Sequence, residues 1–340
     1  RMKIYFDQYV RNALYDKGGY YHDHSSVREK RDFITSPQVS DLFGFFVSRY
    51  ISLNFSKFFK KKDFSIVELG SNDGLLSLQI LDYLKSNYSE LYDNINYIII
   101  EQNSYLKKNI LLNLKDHEEK IEVTNKLKNS KKIKKSAFFV CNEFFDSLPF
   151  HRCIYRDGSF FEIAVEVDSK KNFSPVEVEI RAEVLNLIKN IGLKVDENFF
   201  FEFPSDEYFD FFDELKEISE NFLFLIFDYG EKSQTLNIGK NPNGSARCFY
   251  KNQISNNFYE NFQKQDITFS VNFQLLKESF INIKAKEIFF ETQSKFLLTN
   301  GFVEMLQALR QPDLLELQNI KKLISPSSMG EAFKVMLLAR

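Results

Sequence analysis

The sequence has little of what marks secreted, zinc-stabilised or membrane-spanning proteins. Its 340 residues include no tryptophan and only three cysteines. Cys141, Cys153 and Cys248 form neither a Cys-x-x-Cys pair nor another zinc spacing, which argues against a disulfide scaffold and a structural zinc site. The sequence contains no run of 18 apolar residues, so no transmembrane helix is predicted. Its first residues resemble neither a secretory signal nor a transit peptide. We therefore expect a cytoplasmic protein with reduced cysteines, no membrane insertion and no metal.

An excess of charge of one sign is also missing. Lys and Arg number 45 against 47 Asp and Glu, which gives a formal net charge of -2. A balance this close to neutral provides no long-range attraction to nucleic acid or to an anionic membrane. Nucleic acid is therefore not an expected partner, and partners must be inferred from sites.

Strand-length apolar runs alternate with helical patterns along most of the chain. One run at 64–69 ends at Gly70, and apolar residues at helical spacing follow over 75–84. The other predicted elements are strands at 95–100, 137–141, 222–227, 286–291 and 332–338, a hairpin of strands at 152–155 and 160–167, and helices at 105–114, 180–191, 206–220, 273–281, 293–310 and 313–324. The alternation predicts an α/β fold with a mostly parallel sheet and helices on both faces.

The patterns divide the chain into four parts. Residues 1–60 form an N-terminal helical or lid segment, and 61–150 form the cofactor-binding half of the core. Residues 151–220 contain the inserted hairpin and helices. Residues 221–340 form the second half of the core, with a long polar loop at 231–272 that we expect to lie on the substrate side.

The loop after the first predicted strand has the features of a cofactor site. Gly70 and Gly74 allow a sharp turn close to a ligand, and Asn72 tolerates a positive φ. Glu101 follows the second strand, where an acidic residue can accept both hydroxyls of a ribose. The G-x-G-x-x-G spacing of dinucleotide sites is missing, and Glu68 with Asp73 would repel a phosphate. S-adenosylmethionine, which has no phosphate and carries cationic groups, suits this loop; a nicotinamide cofactor does not.

A resemblance to a known family supports this interpretation. The stretches that carry it are Gly19-Tyr20-Tyr21, Asp32-Phe33-Ile34-Thr35-Ser36-Pro37, Leu42-Phe43-Gly44, Val67-Glu68-Leu69-Gly70, Asn142-Glu143-Phe144-Phe145-Asp146-Ser147-Leu148-Pro149, Asp228-Tyr229-Gly230, Asp266-Ile267-Thr268, Val271-Asn272-Phe273, Thr292-Gln293, Phe296-Leu297, Met329-Gly330-Glu331 and Phe333-Lys334-Val335. In this order they resemble the MidA-type methyltransferases. The resemblance implies a Rossmann-like class I methyltransferase core with an N-terminal helical cap and inserted substrate-side segments.

The chain departs from the family's pattern in the cofactor loop. The family's loop usually reads Gly-Pro-Gly-Arg-Gly, whereas this chain has Gly70-Ser71-Asn72-Asp73-Gly74. The middle glycine and the arginine are both replaced. We expect cofactor binding to persist, without any role that the family's arginine performs.

The stretch after the strand at 137–141 supplies the predicted catalytic residues. It lies at the carboxyl end of the sheet, where α/β folds bind ligands. A guanidinium remains charged at neutral pH, so a carboxylate holding it by two hydrogen bonds would orient and polarise the attacking nitrogen. Glu143 is the first candidate for this anchor, Asp146 is the second, and Asn142 belongs to the same stretch. The alternative is that Glu143 caps a following helix. Phe144 is expected in the pocket wall.

Other predicted site residues come from more distant stretches. By resemblance, the segment Gly18 to Pro37 covers the cofactor. The residues expected to line the cofactor site are Tyr20, Thr35 and Ser36, and those expected on the substrate side are Tyr21, Phe144, Asp228, Tyr229, Asp266 and Thr268.

The resemblance implies a reaction and a partner. The family's mitochondrial members act in respiratory complex I assembly as protein arginine methyltransferases, so the expected acceptor is an arginine of a protein, such as a subunit of a respiratory NADH dehydrogenase. Two alternatives stay open: a methyltransferase acting on a small molecule or RNA, and an assembly factor that binds the cofactor without catalysis.

Overall fold

The computed structural model describes residues 2–22, 34–59, 64–170, 172–309 and 312–340. The chain divides into two compact units. The core unit comprises Ile34–Phe144, Asp213–Tyr229 and Ile283–Arg340. The accessory unit comprises the described residues of Arg1–Phe33 together with Phe145–Phe212 and Gly230–Asn282.

Strands and helices alternate through much of the chain. The strands are β1 (Met2–Tyr5), β2 (Ser65–Leu69), β3 (Asn96–Ile100), β4 (Ile121–Thr124), β5 (Ser136–Asn142), β6 (Phe150–Arg156), β7 (Ser159–Val167), β8 (Phe173–Glu179), β9 (Phe200–Pro204), β10 (Asn221–Glu231), β11 (Arg247–Tyr250), β12 (Gln253–Ser255), β13 (Asp266–Thr268), β14 (Val271–Asn272), β15 (Lys286–Thr292) and β16 (Phe333–Ala339). The helices are α1 (Phe6–Leu14), α2 (Ser36–Val39), α3 (Asp41–Phe58), α4 (Leu75–Asn87), α5 (Ser89–Asn94), α6 (Ser104–Asn113), α7 (Ala182–Ile191), α8 (Asp206–Ile218), α9 (Phe273–Asn282), α10 (Gln293–Thr299), α11 (Phe302–Leu309), α12 (Leu314–Ile324) and α13 (Met329–Ala332).

The core unit is built on one long sheet with the strand order β15-β16-β10-β5-β2-β3-β4. The pairs from β4 across to β10 are parallel, and β16 is antiparallel to both of its neighbours. Leu69 of β2 lies opposite Ile100 of β3 and Cys141 of β5, so the three strands end at the same edge. This arrangement confirms the predicted α/β, Rossmann-like fold with a mostly parallel sheet.

The central strands are apolar because they are buried along their lengths. Every residue of β2 is buried, as are Ala137–Cys141 of β5. Strands covered on both faces carry continuous apolar runs rather than alternation, which explains the pattern in the sequence. Helix α4 packs Leu76, Ile80 and Leu84 into the same core, and truncating one such leucine to alanine typically costs about 2–5 kcal/mol.

The accessory unit has its own sheet and aromatic core. Strands β6 and β7 form the predicted hairpin, closed by Asp157 and Gly158 at positive φ. Strand β1 pairs with β7 on one side and β8 pairs on the other, while β9 pairs with β6. A smaller sheet has the order β12-β11-β13. Phe6 of α1 packs against Phe150 of β6 with ring centroids 5.6 Å apart.

One sequence-based prediction of local structure is wrong, and another omits a strand. Residues 231–272 are not a single long loop, because β11 to β14 lie within them. These strands have two to four residues, too few for alternation to be visible. The expected N-terminal helical segment begins instead with a strand, β1, whose partner β7 is more than 150 residues away. The predicted covering segment Gly18 to Pro37 falls partly outside the described residues, at 23–33.

A helix that crosses a bilayer must be both long and apolar. None of the helices in the part of the chain that the structure describes is both long and apolar enough to cross a bilayer.

Candidate active site

The loop after β2 turns through three left-handed residues. Gly70, Asn72 and Gly74 have φ values of 66°, 55° and 83°. The Gly74 N–H donates to the Ser71 carbonyl at 3.0 Å, which closes the turn before α4. Asparagine is among the few residues with a Cβ that adopt this conformation readily, so Asn72 takes a left-handed position without needing glycine.

Gly70 and Asp73 have different reasons for their positions. A Cβ at residue 70 would lie 3.0 Å from Cδ2 of Phe144, so the loop passes directly against that ring. Asp73 accepts from the Leu75 N–H at 3.3 Å, and its carbonyl accepts from Asn113 Nδ2 at 2.8 Å. Asp73 therefore caps α4 and ties it to α6.

Glu68 lies inside the core unit beneath the loop. Its side chain is buried, and Oε2 accepts from Ser77 Oγ at 2.5 Å and from the Tyr97 hydroxyl at 2.6 Å. Burial raises the pKa of Glu68 to about 7, although both hydrogen bonds act in the opposite direction. The carboxyl group therefore connects β2 to α4 and β3 and titrates near neutral pH.

Glu101 follows β3 and is connected to the loop. Its carboxylate accepts from the Asn103 N–H at 2.9 Å and from the backbone N–H groups of Asn72 and Gln102. Desolvation raises the pKa of Glu101 to about 7, and these N–H groups partly oppose the rise. The structure thus brings Glu101 and Asn72, two predicted cofactor residues, into direct contact.

The end of β5 presents Glu143 in an unusual conformation. Glu143 has a φ of 55°, which is uncommon for a non-glycine residue and costs of order 1–3 kcal/mol. Its N–H donates to the Phe227 carbonyl on β10 at 2.9 Å, and Asn142 Nδ2 donates to its Oε1 at 3.0 Å. The alternative that Glu143 caps a following helix is wrong, because the next element along the chain is β6.

Three polar side chains at these strand ends have buried acceptor atoms without partners. Ser71 Oγ, Asn72 Oδ1 and Asn142 Oδ1 form no hydrogen bond with any residue that the structure describes. An unpaired buried polar atom costs about 1–3 kcal/mol, so such a group usually marks a place where a ligand or water binds. The residues present fit a ligand that brings hydrogen-bond donors.

Thr35 and Ser36, predicted at the cofactor, begin α2. The Thr35 N–H donates to Gln38 Oε1 at 3.0 Å in a capping box, and the buried Ser36 contacts Gln293 Oε1 at 3.5 Å. Gln79 of α4 donates to the Pro37 carbonyl at 2.9 Å, which holds this segment to α4. These contacts give both residues a structural task in the core unit.

Asp228 and Tyr229 lie near the end of β10. Asp228 is buried, and its Oδ1 accepts from the Tyr229 N–H at 2.9 Å. The Tyr229 ring packs against Phe333 with centroids 5.8 Å apart.

The remaining predicted residues meet within the accessory unit. The Tyr21 hydroxyl donates to Asp266 Oδ1 at 2.8 Å, and Tyr20 packs edge-on against Tyr21. Thr268 Oγ1 contacts Asp146 Oδ2 at 3.1 Å and the Asp146 carbonyl at 3.0 Å. The structure therefore joins Tyr21 to Asp266, and Asp146 to Thr268, through one short strand, β13.

Tyr15 belongs to the same cluster and was missed in the sequence. Its hydroxyl donates to the Ser147 carbonyl at 2.5 Å, and its ring stacks on Tyr21 at 5.5 Å with an interplanar angle of 23°. The only signal was a tyrosine shortly before the Gly18-Gly19 turn, which is too weak to identify a contact 132 residues away.

One group of potential metal ligands occurs among the described residues. Asp7, His151 and Glu162 are buried and place three ligand atoms within 4.8 Å of one another. Arg181 Nη2 lies 2.8 Å from Asp7 Oδ1, 2.8 Å from Glu162 Oε1 and 2.9 Å from His151 Nδ1. Its guanidinium also lies 3.7 Å from the centroid of the Tyr5 ring. The cluster therefore contains its own cation.

The arginine changes the ionisation of this cluster. Burial raises the pKa of Asp7, but contacts with His151 and Arg181 outweigh it and lower that pKa to about 2. The pKa of Glu162 is also lowered, because the same two partners overcome its burial. Burial would lower the pKa of His151, yet its bonds to the two carboxylates raise it. Both carboxylates are therefore charged at neutral pH.

Comparisons with known proteins agree with this geometry. Residues 46–289 match a family model described as "Putative S-adenosyl-L-methionine-dependent methyltransferase". The protein arginine methyltransferase NDUFAF7 of Xenopus tropicalis is 26% identical over 189 residues, 48% of this chain and 43% of that protein. The Rattus norvegicus protein of the same name is 28% identical over 186 residues, 47% of this chain and 42% of that protein. The match thus spans less than half the length of these relatives.

Solved structures show a similar fold over the whole chain. A Burkholderia thailandensis protein crystallised with S-adenosyl-homocysteine superposes with a TM-score of 0.81 at 22% identity, covering 99% of this chain and 88% of that one. A native crystal structure from the same organism gives a TM-score of 0.81 at 21% identity and covers 99% and 87% of the two chains.

Proposed function

The chain belongs to this family of S-adenosyl-L-methionine-dependent methyltransferases, and we propose that it methylates an arginine side chain of a protein. S-adenosyl-L-methionine is its cofactor. The observation that carries the proposal is Glu143. Its backbone is left-handed at the end of β5, and its carboxylate accepts a hydrogen bond from Asn142. Two relatives named as protein arginine methyltransferases support the choice of acceptor.

We assign the cofactor to the loop after β2 and its neighbours. Glu101 would accept the ribose hydroxyls, because it lies after β3 with its carboxylate already aligned by three backbone N–H groups. Gly70, Asn72 and Gly74 have positive φ values and turn the chain sharply. The two glycines carry no Cβ, so a ligand can approach the backbone closely. Glu68 is a buried carboxyl group in β2, the strand before the loop, and in its ionised form it would attract the cofactor's positive charge.

Glu143 would hold the acceptor guanidinium. Bound S-adenosyl-L-methionine supplies a methyl group on a positively charged sulfur, so the protein's main task is to align the attacking nitrogen. A carboxylate accepts two N–H bonds from a guanidinium and leaves the third nitrogen free to react. Asn142 fixes the rotation of that carboxylate, and Phe144 would exclude water beside Gly70. Asp146, held by Thr268 in the accessory unit, is the alternative anchor.

The partner and location belong to the same proposal. The acceptor would be a protein, and a subunit of a respiratory NADH dehydrogenase is the specific candidate. A cytoplasmic location is proposed for this chain, whereas the relatives' names state a mitochondrial one. Fractionation of cells that produce the protein distinguishes the two locations.

A labelling experiment tests the reaction. Wild-type protein is incubated with methyl-labelled S-adenosyl-L-methionine and extract from cells that lack the protein, and the labelled amino acid is identified after hydrolysis. We expect methylarginine, and we expect Glu143→Gln to lower its formation by about 10- to 100-fold, the value of a hydrogen bond to a charged group. Glu118→Gln, at an exposed glutamate of the core unit, is the matched control. Asp146→Asn tests the alternative anchor.

Two outcomes would overturn the proposal. Label in RNA or in a small molecule would remove the protein-arginine acceptor and keep the methyltransferase. Cofactor binding without transfer to a demonstrably unmethylated extract would point instead to an assembly factor that has lost catalysis.

A further inference from the structure

A buried glutamine of α4 holds the segment 35–37 of the core unit. The Gln79 side chain is buried, and its Nε2 donates to the Pro37 carbonyl at 2.9 Å and to Asp41 Oδ1 at 3.1 Å. Gln79 lies four residues after Leu75, where α4 begins, so it is one helical turn, about 6 Å, from the loop that ends at Gly74. The segment is therefore attached to α4 close to the proposed cofactor loop.

The two hydrogen bonds fix the orientation of the Gln79 amide. Pro37 and Asp41 both present acceptor atoms, so the NH₂ group faces them and Oε1 points elsewhere. Oε1 is buried, and no residue that the structure describes donates to it. A methionine of similar length would bury no unpaired acceptor, so packing alone does not account for an amide at this position.

A second unfavourable choice lies against the same side chain. Gly44 is inside α3, where glycine is less favourable than alanine. A Cβ at residue 44 would lie 2.3 Å from the Gln79 Cβ and 2.4 Å from its Oε1, so α3 and α4 pack too closely here for any side chain. Gly44 therefore provides the space in which Gln79 reaches Pro37. Local departures from stable packing of this kind are expected at functional positions.

The other contacts of the segment are weaker or internal. Ser36 Oγ lies 3.5 Å from Gln293 Oε1, which is longer than an ordinary hydrogen bond. The capping box joins Thr35 only to Gln38 of α2. The bond from Gln79 to the Pro37 carbonyl is therefore the contact that best fixes the position of the segment on α4.

We propose that Gln79 is a positioning residue for cofactor binding, which holds the segment 35–37 so that Thr35 contacts S-adenosyl-L-methionine. Gln79 acts through the Pro37 carbonyl rather than by touching the cofactor. The inference rests on the proposed placement of the cofactor at the loop after β2 and on the predicted role of Thr35.

The test measures binding of S-adenosyl-L-homocysteine by calorimetry. Gln79→Met keeps the length of the side chain and removes the amide, and we expect the Kd to rise by about 3- to 10-fold, the value of one hydrogen bond. Gln265→Met is the matched control. Gln265 is also buried, and its Nε2 donates to the carbonyls of Asn257 and Phe258 at 2.9 and 3.3 Å in the accessory unit. Its loss should change the Kd by less than about twofold.

A second measurement separates positioning from a general loss of stability. The N–H groups of Gln38 and Val39 donate to the Thr35 carbonyl, so their hydrogen exchange reports on the segment. Exchange at both should be faster in Gln79→Met and unchanged in Gln265→Met. Asp41→Ala removes only the second, exposed acceptor and should raise the Kd by about two- to threefold, which provides a measurement if Gln79→Met does not fold.

Unchanged affinity in a folded Gln79→Met would overturn the proposal, and so would a rise in Kd that Gln265→Met shares. If Gln79→Met does not fold, unchanged affinity in Asp41→Ala would overturn it. S-adenosyl-L-homocysteine transfers no methyl group, so a failure of the arginine proposal leaves this test unaffected. Glu101→Gln tests the placement of the cofactor, so weakened binding in that variant alone would leave the cofactor site in place and remove the role of Gln79.

Discussion

Two carboxyl groups in each unit have pKa values shifted in opposite directions. In the core unit, Glu68 and Glu101 have pKa values raised to about 7. In the accessory unit, Asp7 has a pKa lowered to about 2, and that of Glu162 is lowered as well. The difference is a cation in direct contact. Arg181 contacts both accessory carboxylates, whereas Glu68 and Glu101 accept hydrogen bonds from neutral hydroxyl and N–H donors, and Lys107 lowers the pKa of Glu101 only through its charge.

This contrast separates a ligand site from a scaffold. A desolvated carboxyl group that has no cation in contact with it destabilises the folded protein when it is ionised, and a ligand with positive charge and hydrogen-bond donors removes that cost when it binds. A carboxylate paired with an internal arginine has no such need. The Asp7, His151 and Glu162 group has the composition of a metal site, yet its geometry is that of a closed ion network.

Removing the internal cation should have the largest effect. Arg181→Met leaves the buried Asp7 and Glu162 to share His151 as a partner, so one negative charge is no longer balanced, and we expect the free energy of unfolding to fall by about 3–5 kcal/mol. Urea denaturation measures it. Arg156→Met, which breaks the more exposed pair with Glu177, is the control and should cost less than about 1 kcal/mol. Equal losses for the two variants would remove the distinction between the units.

The pH dependence of stability should have opposite signs in the two units. Folded Glu68 keeps its proton up to about pH 7, whereas the unfolded group loses it near pH 4.5. Its contribution to stability is therefore lost as pH rises from 4.5 to 7, by about 3 kcal/mol at most. Asp7 contributes stability above pH 3.8 that is lost as pH falls towards 2.

Single variants isolate these slopes in urea denaturation at several pH values. Glu68→Gln should reduce the loss between pH 4.5 and 7 without abolishing it, because the pKa of Glu101 is raised to the same value, and Asp7→Asn should flatten the loss below 3.8. His151 has a raised pKa, partly because of Asp7, so its contribution to stability is present below pH 6.5 and lost above it. Glu68→Gln is compared with wild type at each pH to remove this contribution, and Asp7→Asn is compared only below pH 3.8, where the contribution of His151 does not change with pH. A wild-type slope that persists in Glu68→Gln would contradict the account.

We expect Glu101 to contribute more to cofactor affinity than to the stability of the fold. Glu101→Gln removes the charge that would accept the ribose hydroxyls, and we expect the Kd for S-adenosyl-L-homocysteine to rise by about 10- to 100-fold. Stability of the ligand-free protein should not fall, because the substitution removes the burial of an ionisable group. A destabilised variant with unchanged affinity would place Glu101 with the scaffold.

The tyrosine cluster of the accessory unit should give the smallest effect. Tyr15→Phe keeps the stack on Tyr21 and removes the hydrogen bond to the Ser147 carbonyl, which should cost about 1 kcal/mol in urea denaturation. Tyr15→Leu also removes the stack and should cost about 0.5–1.5 kcal/mol more. If the two variants are equally stable, the ring contact contributes nothing.

The sequence predicted the parts of the fold that are encoded locally. Strand β2, its loop and α4 follow from a buried apolar run, turn residues and helical spacing within 25 residues, and the left-handed Asn72 was expected from its tolerance of positive φ. The order of elements and the acidic loop indicated S-adenosylmethionine, and the family resemblance supported that interpretation.

The rest depends on contacts that no local pattern reveals. Arg181 and Asp7 are 174 residues apart, so their ion pair has no sequence signal. The left-handed Glu143 was not foreseen, because glutamate has no preference for that conformation and β10 imposes it through the Phe227 carbonyl. Edge strand β8 was missed since Pro175, Glu177 and Glu179 are poor strand formers.

The most direct test of the central contrast is the number of protons released when the cofactor binds. Calorimetry of S-adenosyl-L-methionine binding near pH 6.5, in buffers of different ionisation enthalpy, measures it. The account predicts that the cofactor's hydroxyl donors and positive charge lower the pKa values of Glu101 and Glu68, so that binding releases protons. Glu101→Gln should release fewer protons than wild type. Binding without proton release, or release that Glu101→Gln leaves unchanged, would contradict the account.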